Sequence, residues 1–320
     1  MEEKMDIIKI CSDKKRIGIG GHIRPDGDCV GSTLALSLYL KNRFPESEIN
    51  VYLEEPSDIF SCIKDFDKLN HDFPDVEAHD VFFVLDCESE RLGLGKKYFE
   101  AAKIKVNIDH HITNKGCGDF NYIVHEASST SELVFDLTES AFMDQEIAKA
   151  VYVGIIHDTG VLQYSNTSPK TLRTVAELIS FGFDFSEIIT KTFYEKTYLQ
   201  NQIMGRVILE SLLFMDGRCI VSSVDKKMLD FYHADSRDLD GIVNQLRITK
   251  GVDCAVFMYQ IGTMEYKVSM RSDEKVNVAK IAELFGGGGH CRAAGCTMNG
   301  TFHDVINNLS AQIEKQLKNS

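Results

Sequence analysis

A histidine and two aspartates lie close together near the amino terminus, within residues 22–32. His22, Asp26 and Asp28 follow an apolar strand-like segment and precede a segment with the apolar spacing of a helix. Imidazole and carboxylate groups are ligands of hard or borderline divalent cations. The same residues also suit a polar turn whose aspartates cap the helix. Taken alone, this segment supports a metal site and a capped turn equally.

Polar side chains also follow two segments that have the composition of buried strands: Asp86 after residues 81–85, and Asp109, His110 and His111 after residues 104–108. The apolar residues of both segments run continuously, which is typical of a parallel sheet covered on both faces. Ligands of such sheets bind beyond the carboxyl ends of the strands. One aspartate there is commonly a turn residue, but three strand ends with metal-ligand side chains predict a shared site.

A further carboxylate, Asp158, comes after a mostly apolar helix predicted over residues 146–156. An unpaired carboxylate is costly to bury. Asp158 therefore requires a partner, which is either solvent at the helix end or a cation.

The predicted strands and helices that carry these residues alternate along the chain, which indicates an α/β fold. We expect an amino-terminal domain with a doubly wound, mainly parallel sheet, a smaller carboxyl-terminal α/β domain, and a catalytic cleft between them. The expected boundaries are a catalytic domain at 1–185, a helical linker at 186–210 and a second domain at 211–320.

Two helix starts have recognisable capping patterns. The segment 129–132, Ser-Thr-Ser-Glu, predicts a capping box. Ser168 followed by proline predicts an N-cap with proline in the first helical position. The buried face of the second helix is expected to contain Leu172, Val175, Ala176 and Ile179.

Four consecutive glycines, Gly286–Gly289, end a predicted helix of the second domain and lead directly into His290. Such a run is commonly a flexible linker. Its position inside a domain favours a loop that lets a phosphate approach the backbone.

The formal net charge of -13 excludes one class of function. A protein that tracks long nucleic acids needs a basic stripe to neutralise phosphates, and the sequence has none. A phosphorylated substrate is therefore expected to be small.

The nine cysteines include no CxxC pair, so we expect a reducing, cytoplasmic environment. We expect no signal peptide and no membrane span, because no apolar run approaches the roughly 20 residues that a bilayer requires. Cys29 and Cys87, which adjoin the candidate ligands, are interpreted as packing residues.

Together these motifs resemble the DHH phosphoesterase family, named for the triplet Asp109-His110-His111. The matching positions of the first domain are His22, Pro25, Asp26, Asp28, Gly31, Ser32, Asp86, the triplet, Asp158, Thr159 and Gly160. Those that resemble the DHH-associated (DHHA) domain are Met270, Arg271, Ser272, Gly286–Gly289, His290, Ala293, Ala294 and Gly295. The motifs cover nearly the whole chain, and the two-domain size is similar to that of the NrnA-like group.

The resemblance implies a site for two Mn²⁺ ions, with other divalent cations possible. The implied ligands of the first ion are His22, Asp26 and Asp86, and those of the second are Asp28, Asp86, His110 and Asp158. Asp86 would bridge both ions, and four carboxylates would balance the charge of two divalent cations. We expect metal to stabilise the protein as well as to activate it. The implied catalytic residues are Asp86, His110, His111 and Asp109. Of these, His111 would contact the scissile phosphate, and Asp109 would orient a neighbouring imidazole.

The resemblance also implies a substrate clamp in the second domain. Its residues would be Arg271, Ser272, Gly288, Gly289 and His290, together with His111 of the first domain. Arginine suits a terminal phosphate because its planar fork donates two parallel hydrogen bonds. Without the glycine loop, an exposed strand-end charge would be the simpler interpretation of Arg271.

The implied function is a Mn²⁺-dependent phosphoesterase that uses a hydroxide activated between two metals. Its substrate would be very short RNA of two to five nucleotides, 3′-phosphoadenosine 5′-phosphate (pAp), or both. The alternatives are a phosphodiesterase of cyclic dinucleotides, such as c-di-AMP or c-di-GMP, or of their linear products, and a metal-stabilised nucleotide sensor without turnover. Homodimerisation is plausible for relatives, but the sequence does not establish it.

Overall fold

The computed structural model describes residues 5–318. The chain divides into two units, one ending at Glu195 and one beginning at Lys196. This division falls within the segment predicted as a linker, whose own limits stay a prediction.

The first unit contains one sheet and the helices that pack on it. Its strands are β1 (Arg16–Gly20), β2 (Glu48–Tyr52), β3 (Val81–Leu85), β4 (Ile104–Asp109) and β5 (Phe120–Ile123). Its helices are α1 (Ile7–Cys11), α2 (Gly27–Arg43), α3 (Lys96–Ala101), α4 (Thr130–Leu137), α5 (Gln145–Asp158), α6 (Pro169–Ile179) and α7 (Phe185–Ile189), followed by a π-helical turn, Thr190–Tyr194.

All strand pairs of this sheet are parallel, and the strand order is β2-β1-β3-β4-β5. Successive residues of β3 belong to different cores: Phe83 packs in one cluster, and Phe82 and Val84 pack in another. Both faces of the sheet are therefore covered. The chain changes direction across the sheet at β1, whose neighbours are β2 and β3, and the crevice at such a point is where doubly wound proteins bind ligands.

The predicted helix starts are confirmed in part. Ser129 caps α4 by accepting a hydrogen bond from the Glu132 amide at 3.0 Å. The Glu132 side chain does not complete a capping box, because it accepts from the amide and hydroxyl of Ser128 and from the Thr171 hydroxyl instead. These partners tie the start of α4 to the start of α6.

Helix α6 begins as predicted, with Ser168 as N-cap and proline in the first helical position. Its predicted buried face is wrong in part. Leu172 is 52% exposed, and the buried residues are Thr171, Thr174, Val175 and Leu178. The Thr171 hydroxyl takes part in the cap and donates to Glu132. The buried face of α6 therefore includes a polar residue that apolar spacing does not predict.

The second unit contains a mixed sheet of order β10-β11-β9-β8-β7-β6, in which the β7–β8 pair is parallel. Its strands are β6 (Leu212–Phe214), β7 (Cys219–Val224), β8 (Cys254–Gly262), β9 (Glu265–Ser272), β10 (Gly288–His290) and β11 (Ala293–Asn299). Its helices are α8 (Tyr198–Leu209), α9 (Lys226–Tyr232), α10 (Ile242–Arg247), α11 (Val278–Leu284) and α12 (Phe302–Leu317). The predicted α/β fold class is confirmed by the two sheets.

The glycine run differs from the predicted loop, because Gly288 and Gly289 begin strand β10 and pair with Gly295 and Ala294 of β11. A Cβ on Gly287 would lie 2.2 Å from the Gly295 carbonyl oxygen, and Gly289 has a φ of +143°. Packing and backbone conformation therefore require glycine at these two positions. Gly288 differs, since a Cβ there would meet nothing within 4 Å.

Across residues 5–318, no helix combines the length and the apolar character that crossing a membrane requires. The predicted cytoplasmic location stays a prediction.

Candidate metal centre

The loop after β1 leads directly into α2. It is both the capped turn and part of the candidate metal site that the sequence suggests. Asp26 is the N-cap of α2, and its Oδ1 accepts hydrogen bonds from the amides of Asp28 and Cys29, each at 3.1 Å. His22 is buried, and its Nε2 lies 3.6 Å from the same oxygen. Capping thus fixes Asp26 beside His22, so the capped turn and the candidate metal site are one arrangement.

Asp86 follows β3 and lies at the centre of the cluster. The residue is 2% exposed, and its backbone has a φ of +61°. Its two oxygens face different histidines: Oδ2 lies 3.5 Å from His22 Nε2, and Oδ1 lies 3.7 Å from His110 Nε2. Left-handed backbone outside glycine costs free energy and is concentrated at functional sites. The strained conformation places one carboxylate between two groups of candidate ligands.

The triplet after β4 orients two imidazoles differently. Asp109 Oδ1 accepts from the backbone amides of both His110 and His111, and it lies 2.7 Å from His111 Nδ1. Its Oδ2 accepts from Asn114 at 2.6 Å. His111 Nδ1 also lies 3.6 Å from Asp86 Oδ1. Asp109 is therefore fully hydrogen-bonded and holds the loop, as an orienting carboxylate does.

Asp28 is bound by the start of α4. Its Oδ2 accepts from the Thr130 amide at 2.7 Å, and its Oδ1 accepts from the Ser131 amide at 2.9 Å. The first amides of a helix have no partner within the helix and favour negative charge. This bonding holds Asp28 Oδ2 4.0 Å from His110 Nε2.

Asp158 is the last residue of α5, and its Oδ2 lies 3.6 Å from His110 Nε2. The structure therefore brings together all six residues implied as metal ligands. They form two groups that share Asp86: His22 and Asp26 in one group, and Asp28, His110 and Asp158 in the other. Within the described residues, the geometry for holding a cation is found for His22, Asp26 and Asp86, and for Asp86, Asp109, His110 and His111.

The donor atoms fit a divalent cation. His110 Nε2 is buried and has no hydrogen-bond partner among the described residues, although it faces three carboxylates at 3.6 to 4.0 Å. Two ligand atoms that each lie about 2.1 Å from one small divalent ion are at most about 4.2 Å apart. These separations are too long for hydrogen bonds and within the range that a shared cation requires.

The charges of the cluster are unbalanced without a cation. Burial raises the pKa of Asp86 well above its usual range, and the negative charges of Asp28 and Asp26 raise it further. Burial and Asp28 raise the pKa of Asp158 to about 8. Burial lowers the pKa of His22, but interactions with Asp26 and Cys29 outweigh this effect and raise the pKa to about 11. Closely packed carboxylates thus retain protons that a cation would displace.

The second unit positions the residues predicted as a substrate clamp. The strand register aligns Arg271 of β9 with Ala293 of β11, and Ala293 with His290 of β10, in one row. Arg271 donates from Nε to Asn244 Oδ1 and from Nη1 to the Met270 carbonyl oxygen, each at 3.0 Å. The Ser272 hydroxyl donates to the Val276 carbonyl oxygen at 2.6 Å. The side chain of His290 lies outside the described part of the chain, and substrate contacts of these residues stay a prediction.

Sequence reasoning missed several supporting residues. Thr130 donates its hydroxyl proton to Asp86 Oδ1 at 3.1 Å. Asn114 bonds to Asp109, and Asn166 donates to Asp158 Oδ2 at 3.1 Å. The capping pattern at 129–132 pointed to the helix start but not to its contact with Asp86. Nothing in the local sequence marks Asn114 or Asn166, because their partners are defined by the fold.

Two family profiles match the chain. The DHH family, N-terminal domain, matches residues 16–155, and the DHHA1 domain matches residues 216–319. The first match includes five of the six candidate ligands, and the second includes the clamp residues predicted in the second domain.

Several relatives match most of this chain and most of their own length. The chain is 28% identical to the bifunctional oligoribonuclease and PAP phosphatase NrnA of Thermus thermophilus, over 89% of this chain and 84% of that protein. It is 27% identical to the protein of the same name from Bacillus subtilis, over 92% and 93%. The crystal structure of an exopolyphosphatase-related protein from Bacteroides fragilis is similar with a TM-score of 0.90 and 26% identity, over 98% of this chain and 95% of that one.

Proposed function

The chain belongs to the DHH family and is a phosphoesterase, and from this premise we propose that it hydrolyses very short nucleotide substrates at a two-Mn²⁺ centre. The substrates proposed are oligoribonucleotides of two to five nucleotides, pAp, or both. The NrnA proteins that it resembles are named for both activities.

The observation that supports two cations is the position of Asp86. Its Oδ2 faces His22, its Oδ1 faces His110, and the two histidines approach different carboxylates. His22, Asp26 and Asp86 would hold one ion, while Asp28, Asp86, His110 and Asp158 would hold the other. When bound, two divalent cations lower the pKa of water and stabilise negative charge on the phosphoryl oxygens.

The chain's own residues would orient the substrate phosphate. Asp109 holds the His111 ring through Nδ1 at 2.7 Å, which fixes its direction. We propose that His111 contacts the scissile phosphate. Arg271, Ser272, Gly288, Gly289 and His290 would bind the far end of the substrate, and the cleft expected between the domains stays a prediction.

An activity assay with Mn²⁺ tests this function. The panel comprises pAp, the 5′-phosphorylated diadenylate pApA, a five-nucleotide RNA, a long RNA and cyclic dinucleotides. We expect hydrolysis of pAp, pApA or both, a decline with increasing length, and slower hydrolysis of the cyclic compounds. Fastest hydrolysis of the long RNA or of a cyclic dinucleotide would contradict the proposal, and binding without any turnover would indicate a sensor.

A pair of variants at the two ends of β3 provides the control. Asp86→Ala is expected to lose activity by orders of magnitude because it removes a ligand of both proposed ions. Asp80 directly precedes β3, at the end of the strand opposite Asp86, where it forms an ion pair with Lys103. Asp80→Ala should keep its activity per folded molecule. If Asp86→Ala kept as much activity as Asp80→Ala and the wild type, Asp86 would be excluded from the reaction.

A further inference from the structure

Asn166 lies in the connection between α5 and α6, and its amide joins two parts of the candidate metal centre. Nδ2 approaches three acceptors: the Ser128 carbonyl oxygen at 2.8 Å, the Asp158 carbonyl oxygen at 3.2 Å and Asp158 Oδ2 at 3.1 Å. Two of the three are backbone carbonyl oxygens, which can only accept, so the amide nitrogen suits this position.

The contact to Ser128 reaches the loop that positions Asp28. Ser128 is buried and is bound by the carboxylate of Glu132. The helix that starts next to it, α4, donates its first amides to Asp28. Asn166 therefore connects a candidate ligand at the end of α5 to the loop that holds another candidate ligand.

Asp158 depends on this contact more than the other carboxylates depend on theirs. The Asp28 carboxylate accepts hydrogen bonds from two backbone amides, and the Asp86 carboxylate accepts one from the Thr130 hydroxyl. Among the described residues, the hydrogen bond given to the Asp158 carboxylate comes from Asn166. The backbone that follows Asp158 is strained, with φ of +57° at Val161 and +64° at Leu162. A strained connection needs its neighbours to maintain its conformation.

We propose that Asn166 is a positioning residue, which holds the Asp158 carboxylate at the distance from His110 that cation binding requires. The inference rests on the proposed function, because Asp158 and His110 share an ion only if the centre is metal-dependent. Residues that orient metal ligands typically contribute 10–100-fold to metal affinity.

The experiment measures Mn²⁺ binding by titration calorimetry and activity as a function of Mn²⁺ concentration. Asn166→Ala is expected to raise the dissociation constant for Mn²⁺ about 10–100-fold. Its kcat at saturating Mn²⁺ should stay within a few-fold of wild type, because the ligands themselves remain. Asn166→Asp has the same shape but places a carboxylate against three acceptors, so its loss of affinity should be larger.

Asn42→Ala is the matched control. Asn42 also donates its amide protons to a backbone carbonyl, that of Phe142, at 3.2 Å, and to a carboxylate, that of Asp144, at 3.0 Å. Asp144 caps the start of α5, whereas Asp158 ends it. The control should lose thermal stability without losing Mn²⁺ affinity.

Unchanged Mn²⁺ affinity of both Asn166 variants, with a lower melting temperature in EDTA, would overturn the inference and leave Asn166 a structural residue. The proposed function would survive that result. If the wild-type protein itself bound no Mn²⁺ and hydrolysed no member of the panel, the proposed function would fail and the inference with it.

Discussion

Asp86 illustrates how one side chain can face two groups of candidate ligands. A carboxylate that is buried, held in left-handed backbone and surrounded by other carboxylates is unfavourable for folding. Its neighbours nevertheless place it so that each oxygen faces a different histidine. The sequence predicted the residue from its place after an apolar strand, but the assignment of each oxygen to one histidine depends on the fold.

His79 shows the opposite case, a buried histidine near Asp86 in the sequence that is not among the predicted ligands. It precedes β3, is fully buried, and its Nε2 lies 3.2 Å from the Tyr52 hydroxyl. Burial lowers its pKa below the usual value of 6.5, and the charge of Arg16 lowers it further against the opposing effects of Glu48 and Asp80. The folded protein thus keeps this ring neutral.

We expect this histidine to make stability depend on pH. Because the folded-state pKa is lowered, its contribution is fully present above pH 6.5 and is lost as the pH falls below that value. The loss amounts to about 1.4 kcal/mol for each unit by which the pKa is lowered. Urea denaturation at several pH values between 5 and 8 should show a smaller pH dependence for His79→Gln than for wild type. Equal slopes would contradict a buried neutral ring.

At the scale of elements, the crossing of α2 and α5 determines how far apart Asp28 and Asp158 lie. Asp28 is in the first turn of α2, and Asp158 ends α5. Gly31 allows the helices to approach, since a Cβ there would lie 2.7 Å from the Ala150 carbonyl oxygen and 2.8 Å from the Gly154 nitrogen. These are backbone atoms, which cannot rotate away as a side chain can.

Gly31→Ala is therefore expected to separate the two helices. We expect a loss of stability of about 1–3 kcal/mol, typical of overpacking, and a loss of Mn²⁺ affinity as the ligands move apart. Gly205→Ala in α8 is the control, because a Cβ there meets nothing within 4 Å. It should be neutral or stabilise by about 0.5–1 kcal/mol. Thermal denaturation and calorimetry of both variants measure these effects, and a neutral Gly31→Ala would contradict close helix contact.

At the scale of the whole molecule, a chain of net charge -13 brings together the four carboxylates proposed as metal ligands. The free energy that this concentration costs is recovered only when positive charge is present. Stability and the proposed activity therefore depend on the same charged groups, because both require cations.

We therefore expect Mn²⁺ to stabilise the protein against heat. At a concentration 100 times its dissociation constant, a ligand stabilises by about 2.7 kcal/mol, which corresponds to an increase of several degrees in Tm. Asp86→Asn should lose this increase. In EDTA the variant should be at least as stable as wild type, because it lacks a buried carboxylate whose pKa is raised by like charges. A fall in its Tm in EDTA, with the Mn²⁺ effect retained, would contradict this account.

The sequence by itself determined the residue types of the candidate ligands, the order of the motifs and the strands that carry them. Continuous apolar segments ending in aspartate or histidine are local features, so β3, β4 and the residues after them could be predicted. The same local reasoning failed for the exposed Leu172 of α6 and for the glycine run that begins β10. In both cases the outcome depends on a contact with a neighbouring element.

The tertiary structure alone decided which candidate ligands meet. The order β2-β1-β3-β4-β5 places the loop after β1 beside the loop after β3, which brings His22 to one oxygen of Asp86. The contacts of Thr130 to Asp86 and of Asn166 to Asp158 follow from the same packing. Periodicity specifies the direction of a side chain within its own element, whereas distances between elements depend on how the whole domain packs.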